Sequence, residues 1–289
     1  MRNYRILTAS VAPKQLDLAL GLLYRAGLCT VHQHRRRNGI ELKAEVIHSA
    51  SATTLVKSIR DLEPPGIRIF KALRVRVVKK GPWASRYQKH LKPFPLFAKL
   101  RDGDENILID PSGKIPNSRR QDTLYIEASL AFGTGTHPTT QLAARFLRDA
   151  MRATRKPAVL DLGCGTGILA MLAKRWGSGI TWAVDNDPEA LTICRKNLKQ
   201  NRIAAIQLKQ SLGDSAKRFD VIVANITADV LSRLRNTILH RLKPGGWLIL
   251  TGLLYRDVSE IESAYRRCRQ IARLNRRGWA ALLLQKTMS

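Results

Sequence analysis

The order of apolar runs along the 289 residues predicts an α/β protein of two units, a small sheet with two helices followed by a larger, mostly parallel sheet with helices between its strands. Three observations predict it. Residues 1–80 alternate as strand, helix, strand, strand, helix, strand. From residue 124 onward strands and helices alternate, which builds a parallel sheet. The last two apolar runs are separated only by Arg276-Arg277-Gly278, so they form a hairpin whose final strand is antiparallel.

In the first unit, strands are predicted at 4–11, 29–35, 40–47 and 67–78, with helices at 13–26 and 52–62. Asn38-Gly39 between the middle strands is a hairpin signal, and the neighbouring Arg35-Arg36-Arg37 run caps that hairpin. This is the β-α-β-β-α-β order of a ferredoxin-like α+β domain, expected over residues 1–80. Residues 81–122 are rich in Pro, Lys and Gly and read as a linker holding a short helix and a strand.

In the second unit, 123–289, strands are expected at 158–162, 181–185, 205–208, 221–225, 247–251, 271–275 and 279–285. The run VLDLGCGTGILA carries the most information. A buried strand ends at Leu162, and Gly163, Gly165 and Gly167 then turn the chain into the helix 168–176 with no side chain to block a ligand's approach to the main chain. The next strand ends in Asp185, 22 residues after Gly163, a carboxylate able to accept both hydroxyls of a ribose. Because the spacing is G-x-G-x-G, the dinucleotide fingerprint is not met. A nucleoside without a pyrophosphate fits, and S-adenosyl-L-methionine is the leading candidate.

The chain is 44% hydrophobic, enough for packed cores in two domains. No apolar run is long enough to span a bilayer, and MRNYRILTAS lacks the apolar core of a signal peptide. Cys29, Cys164, Cys194 and Cys268 follow no disulfide or metal-ligand spacing, so no metal is expected and a cytoplasmic location is. The formal net charge is +28, and residues 1–100 carry 20 Lys+Arg against 5 Asp+Glu. Such a field either attracts polyanions, RNA among them, or serves as a solvated, solubility-promoting surface.

Upstream of the glycine turn stands LAFGTGTHPTT (130–140), and downstream NITADVL (225–231) and TGLL (251–254). These strings, together with Trp83 and Lys92-Pro93 in the linker, resemble the PrmA family, the methyltransferases of the large-subunit ribosomal protein L-eleven. The resemblance covers nearly the whole chain. It implies a class I, Rossmann-like methyltransferase domain behind a ferredoxin-like substrate-recognition domain. It also implies a monomer that methylates lysine side chains or an N-terminal amine of a ribosomal protein.

By motif position the resemblance puts cofactor contacts on Thr140, Gly163, Asp185 and Asn225, and each has an independent reason. Thr140 opens the helix TTQLAARFL, where unpaired amides and a hydroxyl can hold a carboxylate, although a simple helix cap would use the same residue. Asn225 ends a buried strand and offers both a donor and an acceptor, for positioning cofactor and acceptor alike, or it forms a turn. Gly165 completes the bare floor of the turn. Phe132 either packs near the cofactor or belongs to ordinary core. Asp161 either orients the cofactor's ammonium end or caps the glycine turn. Asp187 with Pro188 starts the following helix. His137 either accepts a proton or pins the Gly-Thr-rich loop over the cofactor.

Methyltransferases acting on flat, amide-like nitrogens show N-P-P-Y or a close variant at the position of Asn225, whereas this chain has Asn225-Ile226-Thr227-Ala228. An aliphatic amine is therefore the expected acceptor. Such an amine must be neutral to attack. Burial and the adjacent sulfonium lower its pKa, so alignment is the main expected source of rate, with no dedicated base.

NITA and TGLL stand where the family commonly has NILA and SGIL, changes that keep size and polarity close. The basic first domain would repel a basic ribosomal protein, which leaves room for an encounter alongside ribosomal RNA. Two alternatives follow, a lysine methyltransferase for another protein and an RNA-associated methyltransferase or adaptor. Residues 29–47 contain no Phe, Tyr or Trp, against an RNA-recognition sheet.

Overall fold

The structure, a computed structural model, describes residues 4–26, 28, 31–46, 51–78, 92–97, 105, 107–112, 122–127, 135 and 137–288. The chain divides into two compact units, residues 1–87 and 88–289. Phe132 and Trp83 lie outside the described residues.

The first unit runs β1 (Tyr4–Val11), a 3-10 turn (Pro13–Gln15), α1 (Leu16–Arg25), β2 (Val31–Arg36), β3 (Gly39–Val46), α2 (Ala52–Asp61) and β4 (Phe70–Val78). Its sheet has the order β2-β3-β1-β4, antiparallel throughout, which is the ferredoxin-like arrangement. Period-2 alternation sorts the strands. Leu7, Ala9 and Val11 of β1 and Leu42, Ala44 and Val46 of β3 are buried in one core with Leu22, Leu23, Ile59 and Phe70. Ser51 caps α2, its side chain accepting the Thr54 amide at 3.1 Å.

Two details differ from the sequence expectation. The hairpin turn falls on Arg37 and Asn38, and Gly39 already pairs with Arg36 inside the sheet. Gly39, at φ 142°, serves a close approach instead, since a Cβ there would lie 2.7 Å from the Val11 carbonyl oxygen. Strand β4 begins three residues later than expected because Glu63 anchors the preceding turn. Its Oε1 accepts the amides of Ile69 at 2.8 Å and Phe70 at 2.9 Å, and Arg60, paired with it, donates to the Phe70 carbonyl.

The second unit opens with a three-stranded sheet of β5 (Phe94–Pro95), β6 (Leu108–Asp110) and β7 (Thr123–Tyr125). Within 81–122, then, where the sequence reads as a linker, the described residues contribute two strands to a sheet of the second unit. The main sheet follows with α3 (Pro138–Ala153), β8 (Val159–Leu162), α4 (Ile168–Arg175), β9 (Thr181–Val184), α5 (Pro188–Asn201), β10 (Ile206–Lys209), β11 (Phe219–Asn225), α6 (Ala228–Arg241), β12 (Leu242–Leu254), α7 (Val258–Ala264), β13 (Cys268–Arg276) and β14 (Trp279–Lys286).

Its order is β10-β9-β8-β11-β12-β14-β13. Strands β8 to β12 pair parallel, and β14 enters antiparallel between β12 and β13. Arg277 (φ 49°) and Gly278 (φ 79°) form the two-residue turn, both in the left-handed region that twisted hairpins favour. The order is that of a class I, Rossmann-like methyltransferase sheet. It reverses direction between β8 and β11, and in such sheets ligands bind outside the carboxyl ends of the strands at that switch point. Every residue of β8 and β9 is buried, so these strands form a stiff floor.

Candidate active site

Three chain segments meet at the carboxyl ends of β8, β9 and β11. In the first, Gly163, Gly165 and Gly167 take φ values of 75°, 52° and 80°. The left-handed geometry alone favours glycine at each. At Gly163 a Cβ would also run into the Ile226 side chain, and at Gly167 into the Cys194 thiol. The turn is laced to β9 because the amides of Gly163 and Cys164 both donate to the Val184 carbonyl, at 2.8 and 3.0 Å.

The second segment is the tip of β9. Asp185 accepts the Gly165 amide on Oδ2 at 2.8 Å and the Asp187 amide on Oδ1 at 3.0 Å. The carboxylate is fixed in orientation while each oxygen keeps a further lone pair. Asp187 in turn caps α5 through the Glu189 amide at 2.8 Å.

The third segment joins β11 to α3. Thr140 is fully buried in the first turn of α3, and the Asn225 side-chain amide donates to its hydroxyl at 3.5 Å. Asn225 is buried, and its Oδ1 has no partner among the described residues. Ile226 then locks the motifs together. Its amide donates to the Thr251 carbonyl at 3.2 Å, and a Cβ at Gly252 (φ 84°) would collide with its carbonyl. The strings GCGTG, NITA and TGLL, far apart in sequence, therefore pack around one residue.

Asp161 lies beneath this cluster on β8. Its Oδ2 accepts the Ala170 amide at 2.9 Å, while Oδ1 is buried without a partner among the described residues. Burial, with a smaller push from Asp185, raises its carboxyl to about 7. Two orphaned buried acceptors, on Asp161 and Asn225, are what a cleft tailored to a cationic, hydrogen-bonding ligand presents.

His137 caps α3. Its Nδ1 accepts the Thr139 amide at 3.3 Å and lies 2.7 Å from the Thr139 hydroxyl. The ring stands edge-on to Trp279, with centroids 4.8 Å apart. Burial lowers its pKa to about 4, so the ring is neutral at neutral pH. The acceptor nitrogen is spent on the cap, which puts the ring proton on Nε2. His137 thus positions the start of α3 and is a poor proton acceptor. Nearby, Gln141 accepts a hydrogen bond from Arg276 and donates to the Gly135 carbonyl at 3.4 Å.

The sequence reading did not single out Asn197 and Asn201, four residues apart on the inner face of α5. Asn197 is fully buried, accepts the Glu127 amide on Oδ1 at 2.9 Å and donates to the Thr166 carbonyl at 3.0 Å. Asn201 pairs in both directions with the backbone of Tyr125, at 2.8 and 2.7 Å. Together they tie Tyr125 and Glu127 to α5 and the glycine turn. The available signal was their spacing with Cys194 and Leu198, which puts both amides on the buried face.

A family model described as Ribosomal protein L11 methyltransferase (PrmA) matches residues 27–287. The chain belongs to that family. A ribosomal protein L11 methyltransferase of Paraburkholderia phymatum is 34% identical over 218 residues, 75% of this chain and 69% of that protein. One of Cupriavidus metallidurans is 37% identical over 192 residues, 66% of this chain and 60% of that protein, so the match spans less than two thirds of that relative's length. Among solved structures, ribosomal protein L11 methylase from Lactobacillus delbrueckii subsp. bulgaricus is similar, with a TM-score of 0.56 and 28% identity. The similarity covers 63% of this chain and 94% of that one.

Proposed function

We propose that this chain is an S-adenosyl-L-methionine-dependent protein N-methyltransferase that modifies lysine side-chain or N-terminal amines of ribosomal protein L11. The observation that carries the reading is the convergence at Ile226 of the glycine turn, the Asn225 strand end and Gly252, beside a carboxylate fixed by two amides. The matched family, and relatives named ribosomal protein L11 methyltransferase, support methyl transfer to that protein.

The residues present suit the cofactor. Asp185 would take the ribose hydroxyls, and the turn Gly163 to Gly167 lets main chain approach the ligand without interference. The start of α3 with Thr140 would receive a carboxylate, and Asp161 and Asn225 offer unmatched acceptors to its cationic end. When bound, the cofactor supplies an electrophilic methyl group on a sulfonium.

The chain's own task is alignment. Asn225, buried and tied to Thr140, positions the acceptor nitrogen. The NITA sequence leaves room for a flexible aliphatic amine where a flat amide would need a clamp. No residue needs to hold the proton in transit, because an amine that arrives neutral becomes an ammonium on methylation and releases its proton to water afterwards. The first unit would recognise the substrate, the second would carry out transfer, and the enzyme would act as a cytoplasmic monomer.

A labelled methyl-transfer assay on purified ribosomal protein L11 and on ribosomal fractions tests this, with Asp185→Ala and Asn225→Ala as controls. Label is expected in that protein and absent with either variant. Label confined to RNA, or to a different protein, overturns the substrate assignment.

A further inference from the structure

We infer that the outer edge of the catalytic sheet, from the start of β13 to the β13–β14 turn, is a docking surface for single-stranded RNA. From Ser263 to Ser289 the chain holds seven Lys and Arg and no Asp or Glu. Among the described residues β13 is the last strand of the sheet, so this charge lies along its edge. Arg266, Arg267, Arg269 and Arg277 are exposed, and none has a carboxylate partner among the described residues. Arg273 pairs with Glu262 at 3.6 Å, and Arg269 donates to the neutral Gln285 side chain at 3.0 Å.

Cations on an edge strand also deter pairing with other chains. That role does not account for Arg266 and Arg267, which precede the strand, or for Arg277, which sits in the turn. Nor does it account for Tyr255. This ring is 59% exposed, has the Arg273 guanidinium 5.9 Å from its centre, and its backbone amide donates to the Gly278 carbonyl at 2.9 Å. An exposed aromatic ring beside a row of guanidinium groups that holds a single carboxylate partner among the described residues is the arrangement that binds single strands, with phosphates on the cations and a base on the ring.

The complementary charge is therefore a polyanion with stackable bases, which an acidic peptide lacks. The sheet of the first unit is a weaker candidate. There Glu41 neutralises both Arg36 and Lys43, at 2.8 and 3.4 Å, although Arg74 and Arg76 are exposed. RNA is a docking partner here and not the methyl acceptor, and its binding does not depend on the methyl-transfer reading.

The test is fluorescence anisotropy on the full chain with a labelled, unstructured RNA of about 12 nucleotides. If four phosphates are neutralised, affinity should fall about 50-fold between roughly 50 and 200 mM salt. Arg266→Glu/Arg267→Glu/Arg269→Glu should bind at least tenfold more weakly with a flatter salt dependence and an unchanged Tm. Tyr255→Ala should weaken binding by about fivefold or more at an unchanged salt slope. Arg74→Glu/Arg76→Glu should bind like the parent. Unaltered affinity in the triple variant and in Tyr255→Ala, an equal loss in the Arg74/Arg76 variant, or preference for a poly-glutamate peptide over RNA would each overturn the assignment.

Discussion

The Gly165 amide donates to Asp185 Oδ2 across 2.8 Å, so the bare turn after β8 and the carboxylate after β9 are one unit and not two neighbouring devices. With the Asp187 amide on the other oxygen, the carboxylate is held in plane from both sides. Asp185→Asn should therefore be harsher than its size suggests, because the new NH2 must face an amide donor. Hydrogen bonds to charged groups contribute about 1.5–3 kcal/mol each, so cofactor affinity should drop roughly 10- to 100-fold. Calorimetry with S-adenosylhomocysteine reads this directly, and a dissociation constant within twofold of the parent would refute it.

On the proposed reading, Asp161 should make cofactor affinity depend on pH. With its carboxyl raised to about 7 by burial and Asp185, it is half protonated at neutrality in the free protein. A cationic ligand favours the ionised form, so affinity should fall about tenfold from pH 8 to pH 6 and become flat in Asp161→Asn. The sign for stability is opposite. The folded pKa lies above the ordinary value of 3.8, so this group's contribution is complete below that value and is lost as pH rises through 7. Without ligand, Asp161→Asn should melt higher than the parent at pH 8, by an amount on the order of 1 kcal/mol or more.

Asn197→Ala should loosen the cofactor site without touching the cofactor. It leaves the Glu127 amide without its acceptor, at a cost of about 1–3 kcal/mol, and frees the glycine turn from α5. Both Tm and cofactor affinity should fall. Asn197→Asp keeps the Glu127 bond but cannot donate to Thr166, so it should recover part of the Tm and little of the affinity.

In the first unit, burial would raise the Glu63 carboxyl. The amides of Phe70 and Ile69 together with Arg60 outweigh that and hold it below its usual 4.5. A lowered folded pKa contributes stability above the ordinary value and loses it as pH falls through the folded one. Glu63→Gln should therefore destabilise this unit at pH 7 by about 1–2 kcal/mol and show a smaller further loss on acidification than the parent, by circular dichroism.

Much of this was legible in the chain because it depends on local pattern. Period-2 alternation and the glycine spacing place β1, β3, β8 and the turn, and the three-residue gap before Trp279 forces the antiparallel final strand. What local pattern misled on was a matter of contact. Gly39 looks like a turn residue, yet its place is set by the Val11 carbonyl on a neighbouring strand. For His137 the sequence leaves proton acceptor and loop pin both open, and only contact adds that it caps α3, stands edge-on to Trp279 and is kept neutral by burial.

By itself the sequence determined the strand and helix order of the first unit and of the main sheet, the bare turn and the presence of Asp185 and Asn225, since backbone conformation and side-chain chemistry are properties of nearby residues. Only the tertiary structure decided that Ile226 joins three distant motifs, that Asn197 spans from Glu127 to Thr166, and that Asp161 Oδ1 lacks a partner among the described residues. These depend on burial and on approaches between segments up to 70 residues apart, and the free energy of a polar group is set by whatever the fold brings to within about 3 Å of it.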